Sequence, residues 1–338
     1  MRRYETSRGV ENWLKIVDKE LSRHYESEYL QEFSLRYCTV LSYEKVSGLV
    51  SERCGTSRLS DQRLSQMVKE KAEQIKVEQK NLMKEKAATQ TEIKAVAVDL
   101  YDRSGREIIW LEDGICVSEQ KAKRDGQAKR GKERVTTDMA MMQKRDGSFK
   151  TLIAGNGVEK ECYYKAEILA EYGEEASELP IVAISDGARS IKSGVKRLFG
   201  EEVSHLLDWY HVEAKVYQLM TQIAPNKQVK AEVQEQMINE LWRGKSEAAI
   251  QILEPVKGRN QIKQAELKGY LEKNKASIID YEKRRETGKI IGSGRMEKEN
   301  DVIIAHRQKR KGMSWSKTGS LSLAMVTAHF NQRTNYLQ

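Results

Sequence analysis

The sequence predicts an α/β protein of the α+β kind: an all-helical N-terminal segment, a mixed sheet, a helical insertion, and a last helix with a basic tail. Three observations carry this. Apolar side chains keep a helical spacing from residue 9 to about residue 88, the pattern changes to extended alternation at Ile93, and no strand signal appears between Val212 and Glu286. The expected boundaries are 1–90 for the helical segment, 91–211 for the first part of the sheet domain, 212–288 for the insertion and 289–338 for the closing helix and tail.

Composition narrows the class before any motif is read. A chain of 338 residues, 32% charged and 39% hydrophobic, can bury a real core in two or three modest domains. No apolar run approaches the roughly 20 residues a bilayer span needs. The first residues, MRRYETSRGV, lack the apolar core of a signal peptide, so a cytoplasmic protein is expected. A net charge of +9 favours a polyanionic partner, of which nucleic acid is the commonest. Cys38, Cys54, Cys116 and Cys162 are far apart and form no C-x-x-C pair, so reduced thiols are expected and not a zinc site.

In chain order, residues 9 to 35 read as a helix with Trp13, Leu14, Val17, Leu21, Tyr25 and Leu30 on its inner side. A helix-turn-helix shape follows over about 43–72. Val46, Leu49 and Val50 line its first helix, Cys54, Gly55 and Thr56 supply the turn, and Ser60 caps a second helix lined by Leu64, Met67 and Val68. In that shape Arg63, Gln66 and Lys69 face outward, toward a DNA groove. The second helix continues as a polar connector to about Ala88.

Then the strands begin. IKAVAVDLYD alternates, Arg103, Ser104 and Gly105 turn it, and REIIWLEDGICVSEQ is a longer strand with Asp113 and Gly114 in its middle. A loop rich in Lys and Arg, including Lys129 and Arg130, leads to RVTTDMAMMQK, a turn with the Asp-Gly signature, and FKTLIAG. Short connections make these strands antiparallel. A helix from about Cys162 to Tyr172 precedes the buried strand IVAIS, which delivers Asp186 at its carboxyl end, where open α/β sheets place their ligands. VSHLLDWYH reads as a further strand ending in Asp208 and His211.

After the insertion, the glycine-rich turn Gly292-Ser293-Gly294 enters a helix. Met296, Val302, Ile303 and Ile304 form its apolar stripe, with Glu297 at the edge of that stripe in the first turn. The basic run His306, Arg307, Lys309, Arg310 and Lys311 follows, with Gly312 as the stop. A carboxylate at a core edge beside a dense basic run suggests metal chemistry next to a polyanion. Alone it is more often a solvated helix face.

The order of acids resembles the ribonuclease-H-like fold of DDE transposases. More closely, LEDGICVSEQK, VAISDGAR, LLDWYH and IGSGRMEK with RQKRKGMSWS resemble motifs of bacterial insertion-sequence transposases of the Kra group, within the Mutator-like DDE superfamily. The resemblance covers about Ile93 to the C-terminus. It implies a ribonuclease-H-like mixed sheet and a catalytic, metal-binding triad of Asp113, Asp186 and Glu297. Asp208 and His211 then match an auxiliary D-x-x-H signature with a positional role. Asp99 competes with Asp113 for the first position. Three antiparallel strands are wanted before the first helix, and counting from Asp113 gives three, so Asp113 is chosen and Asp99 held in reserve. The segment ahead of the sheet is shorter than the resemblance implies, as in a truncated copy.

The implied activity is Mg²⁺-dependent cleavage of element ends and strand transfer into target DNA, with Mn²⁺ as a substitute and two ions held by the triad. Lys309, Arg310, Lys311, Arg307, Lys129, Arg130 and Arg63 would contact DNA, and Trp315 would stack on a base or sit in the core. The partners implied are terminal inverted repeats, target DNA and a second copy of the chain, in a nucleoid-associated bacterial protein. Two rival readings stay open: a ribonuclease-H-like nuclease that does not join, and a catalytically silent DNA-binding protein.

Overall fold

The computed structural model describes residues 4–6, 9–11, 26–54, 59–120, 134–310 and 312–334. They fall into two units, residues 1–68 and 69–338. In the first unit, β1 (Tyr4–Thr6) and β2 (Gly9–Glu11) pair antiparallel, where a helix was expected from residue 9. Gly9 and Val10 are poor helix formers, which favours the extended pairing there. Trp13, Leu14, Val17, Leu21 and Tyr25 lie outside the described residues. Helix α1 (Glu28–Cys38) starts at Ser27, whose hydroxyl accepts from the Leu30 N–H.

Helix α2 (Tyr43–Cys54) buries Val46 and Val50, and α3 (Asp61–Ala87) buries Leu64, Met67 and Val68. These are the inner positions expected of the helix pair. The turn residues Gly55 and Thr56 lie outside the described residues. The unit boundary falls within α3, which runs 27 residues as one helix.

The second unit is built on a five-stranded mixed sheet: β3 (Ile108–Ser118), β4 (Arg134–Gln143), β5 (Phe149–Leu152), β6 (Ile181–Ser185) and β7 (Ser204–Leu207), in the order β5-β4-β3-β6-β7. The β3–β4 and β4–β5 pairs are antiparallel, while β3–β6 and β6–β7 are parallel. Three consecutive antiparallel strands, with two parallel strands added beside the first of them, is the ribonuclease-H-like arrangement. The chain crosses to the parallel side through α4 (Lys160–Tyr172) and between the last two strands through α5 (Arg189–Phe199). Every residue of β6 is buried, as expected for a short parallel strand covered on both faces. Trp110 of β3 meets Tyr164 of α4 and Phe199 of α5 edge-on, with ring centroids 5.3 and 5.2 Å away.

Two expectations are corrected here. The stretch from Ile93 to Asp99 is not a strand of the sheet. Ala95 bridges only Leu179, and the neighbouring amides bond to the Ala176, Phe199 and Leu179 carbonyls. Its partners are a turn and a helix end, so no ladder can propagate. The sheet therefore starts at Ile108. The strand expected to reach His211 stops instead at Leu207, because Asp208 caps α6 (Trp209–Ile223) by accepting from the Tyr210 N–H at 2.9 Å.

The insertion is helical as expected: α6, α7 (Lys227–Trp242), α8 (Ser246–Leu253), α9 (Gln261–Asn274) and α10 (Tyr281–Glu286). Trp209, Val216 and Leu219 pack with Met237, Leu241, Leu267 and Leu271 in its own core. Helix α11 (Gly294–Asn300) then continues through a π-helical stretch, Asp301–Ala305, into a final α-turn at His306–Gln308, and α12 (Lys317–Thr334) ends the described chain. No helix among the described residues is long and apolar enough to cross a membrane.

One buried ion pair ties the segment entering β3 to the segment entering α11. The fully buried Arg284 forks onto Glu107 at 2.7 and 3.1 Å and also donates to the Leu100 and Ile290 carbonyls. Removing one partner of such a pair strands a charge away from water. Glu107→Gln is expected to lower the unfolding free energy by about 3–5 kcal/mol in urea titrations followed by tryptophan fluorescence.

Candidate functional site

The register of the parallel strands puts three acids in one row. Leu111 pairs with Ile184 across β3–β6, and Ser185 pairs with Leu207 across β6–β7. Continuing the first ladder two steps and the second one step sets Asp113, Asp186 and Asp208 side by side at the carboxyl end of the parallel strands. The three acids therefore belong to one sheet edge, and the charge of Asp186 is felt at both Asp113 and His211.

The backbone beyond each acid gives it a different surrounding. After Asp113 the strand runs on, and its carboxylate accepts from the Gly114 N–H at 2.7 Å and from the Asn300 side-chain amide at 2.7 Å. After Asp186 the chain turns through Gly187, whose φ of 81° favours glycine. A Cβ there would also lie 2.6 Å from the Leu207 side chain. Asp186 itself accepts from the Ala188 N–H at 2.8 Å. Asp208 is completely buried, and its two oxygens take three donors: the Tyr210 N–H, His211 Nδ1 at 2.8 Å and the Ser293 hydroxyl.

Glu297 reaches this edge from α11. The turn before it passes so close to the sheet that a Cβ on Gly292 would sit 2.6 Å from the Tyr210 ring and 2.7 Å from Asp208 Oδ1, so only glycine fits. Further along, Glu299 accepts from the Thr151 hydroxyl at 2.8 Å and the Arg295 guanidinium lies over Phe149 at 5.0 Å. Met296, Ile303 and Ile304 are buried as expected, whereas Val302 is 38% exposed. The π-helical stretch accounts for this, since a wider turn shifts the phase of the stripe.

One ligand atom each from Asp208, His211 and Glu297 lie within 4.8 Å of one another, a spacing a metal ion could bridge. The hydrogen bonds divide their roles. Asp208 has spent its oxygens on protein donors and acts as the holder of His211, while Glu297 is exposed and faces a cavity. That cavity is lined by Asp113, Cys116, Glu297, Asn300, Asp301 and Lys309 among others.

The electrostatics join all five groups. The hydrogen bond to Asp208 raises the His211 pKa above its ordinary value against the effect of burial, with the charges of Asp208, Asp186 and Glu297 adding to it. Burial pushes the Asp113 carboxyl up, and the charge of Asp186 adds to the rise. Burial acts the same way on Asp208, but the bonds from His211, Ser293 and the Tyr210 amide outweigh it and hold that carboxyl below its usual value. Among the described residues, no lysine or arginine forms an ion pair with Asp113, Asp186 or Glu297. Carboxylates crowded without basic partners are the donor set a hard divalent cation takes.

The expected DNA contacts separate. Lys309 lines the cavity, and the exposed Arg310 donates back to the His306 carbonyl and ring. Arg307 is corrected, and Trp315 takes the core position that the sequence left open for it. Arg307 is 2% exposed and stacks on the Trp315 ring at 5.0 Å, and the Trp315 indole donates to the Gln308 carbonyl. Trp315 also bridges to the end of β3 through its backbone, so both side chains are packing elements. Arg63 forks onto Glu26 at 2.6 and 2.7 Å. Lys129, Arg130 and Lys311 lie outside the described residues. Asp99 sits in an exposed turn, accepting from the Tyr101 N–H.

Sequence reading missed Ser293 and Asn300. The signal for Asn300 was available: it lies three residues after Glu297, on the same helix face.

The family profile described as "Uncharacterised protein family (UPF0236)" matches residues 1–336. No curated protein matches. Among solved structures, the Drosophila P element transposase strand transfer complex aligns at 10% identity over 96% of this chain and 83% of that chain, with a TM-score of 0.30.

The His211–Asp208 bond makes a titration prediction. A raised folded pKa means the pair stabilises the fold fully below the ordinary histidine pKa and loses that contribution as pH rises through the folded value. In metal-free protein, the His211 ring resonance is expected to titrate above 6.5 by NMR. In Asp208→Asn it should fall back, since burial then acts with less opposition.

Proposed function

We propose that this chain, which belongs to the UPF0236 family, is the DNA transposase of an insertion sequence, acting by metal-dependent cleavage of element ends and strand transfer. The observation that supports this is the nearness of Asp113 and Glu297, which line one open cavity with Lys309, while Asp186 follows the strand paired beside that of Asp113 and its charge is felt at Asp113. The four strings that resemble motifs of Kra-group transposases run through the same residues. The net charge of +9 suits a DNA partner.

In this reading Asp113, Asp186 and Glu297 hold divalent cations, Mg²⁺ or Mn²⁺, two in number. Bound there, the ions would activate water for strand cleavage and offset charge on the leaving oxygen. The protein's own groups do the rest. Asp208 fixes the His211 ring through Nδ1 and favours its protonated form, in which His211 offsets part of the carboxylate charge and can donate from Nε2 to a phosphate oxygen. Lys309 at the cavity and Arg310 beyond it neutralise the DNA backbone, which makes binding fall steeply with salt.

The division of labour follows the predicted boundaries. Residues 1–90, with the helix pair over 43–72, bind DNA. Residues 91–211 and 289–338 form the catalytic domain, and 212–288 is an insertion beside it. Two element ends must be brought together, so the active form is a dimer or larger assembly on DNA.

The test is a cleavage and joining reaction on labelled duplex carrying the element's terminal repeat, with Mg²⁺. Cleaved and joined strands are expected, both lost with EDTA. Glu297→Gln should reduce cleavage by about 10²–10³-fold or more while leaving the DNA dissociation constant within about threefold. Cleavage without joining would reduce the assignment to a nuclease. No cleavage by the wild-type protein, or full cleavage by Glu297→Gln, would overturn it.

A further inference from the structure

Asn300 is the least explained polar side chain at the acidic edge. It is only 6% exposed and sits one turn after Glu297, immediately before the π-helical stretch. Its amide nitrogen donates to Asp113 Oδ2 at 2.7 Å, while its carbonyl oxygen is buried with no hydrogen-bond partner. An enclosed amide oxygen without a donor is destabilising, and a valine or leucine would fill the same space without that cost. The side chain lines the same cavity as Asp113 and Glu297.

The orientation of the amide explains the orphan. With no cation present, an ionised Asp113 only accepts hydrogen bonds, so the NH₂ group must face it and the oxygen is turned away. A divalent cation against Asp113 reverses that preference. Rotation about the Cβ–Cγ bond exchanges the two atoms and places an oxygen where the nitrogen stood. An oxygen 2.7 Å from a carboxylate oxygen is close to the spacing of two adjacent ligands on one Mg²⁺, about 3 Å for octahedral coordination at roughly 2.1 Å.

We infer that Asn300 is a fourth, neutral ligand of the cation site, sharing with Asp113 the ion that Asp113 binds, and that its amide turns over when the ion arrives. This rests on the metal-binding reading above. A neutral oxygen there adds coordination without adding a further charge to an edge that already carries four acids.

Two variants separate ligation from simple support of Asp113. Asn300→Leu keeps the volume and removes both polar atoms. Asn300→Asp keeps an oxygen but removes the donor and adds a charge. Mn²⁺ affinity is measured by calorimetry on the full chain, with thermal melts to confirm folding. Ligation predicts at least tenfold weaker Mn²⁺ binding in Asn300→Leu, and in Asn300→Asp an affinity equal to or tighter than wild type. If Asn300 only supports Asp113, Asn300→Asp repels it and weakens Mn²⁺ at least as much as Asn300→Leu, which overturns the inference. Unchanged affinity in a folded Asn300→Leu also overturns it. Failure of the wild-type protein to bind Mn²⁺ would remove the metal reading itself, a different result from either.

Discussion

The structure turns on the repulsion between carboxylates set in one row. Two unit negative charges held at the strand spacing of about 4.8 Å repel by roughly 3 kcal/mol at an effective dielectric constant near 20. The charge of Asp186 is felt at Asp113 and, with those of Asp208 and Glu297, at His211, so four acids act on one edge. Against a folded state stabilised by about 5–15 kcal/mol in total, that is a large burden for one sheet edge. The surrounding groups are arranged to lighten it.

Asp208 is neutralised locally. Its three donors favour the charged carboxylate, and its bond to His211 makes that ring easier to protonate beside the remaining acids. Asp113 is relieved differently, by partial burial that favours protonation and by the Asn300 amide. Asp186 and Glu297, like Asp113, are left without a lysine or arginine ion-pair partner among the described residues, and these three are the acids the motif resemblance assigns to the cation. Close backbone approach makes the cluster possible. Gly292 lets the turn into α11 lie against Asp208 and Tyr210, and Gly187 turns the chain beneath Asn274. The Arg284–Glu107 pair holds the two entering segments together from behind.

Much of this was legible in the sequence, for identifiable reasons. The strands carrying Asp113 and Asp186 were visible because buried parallel strands read as unbroken apolar runs, and the Asp-Gly turn marks the β4–β5 hairpin. The insertion was visible as an absence of extended pattern. Asp113 was preferred over Asp99 by counting strands, and the sheet does begin at Ile108. What failed was tertiary in origin. AVAVD alternates like a strand, but its neighbours in space are a turn and a helix end. Asp208 and His211 read as the end of a strand because LLDWYH gives no hint that the aspartate caps a helix. Arg307 looked like a DNA contact because a basic run shows its charge and hides its packing. Asn300 was passed over because a single amide between two acidic residues, Glu299 and Asp301, carries no motif, although its spacing from Glu297 placed it on the same face.

The most direct test of the central claim is anomalous diffraction from crystals soaked in Mn²⁺. The account predicts density at the carboxyl edge of β3 and β6, about 2.1 Å from oxygens of Asp113 and from Asp186 or Glu297. An empty edge at saturating Mn²⁺, or ions bound only elsewhere on the chain, would contradict it.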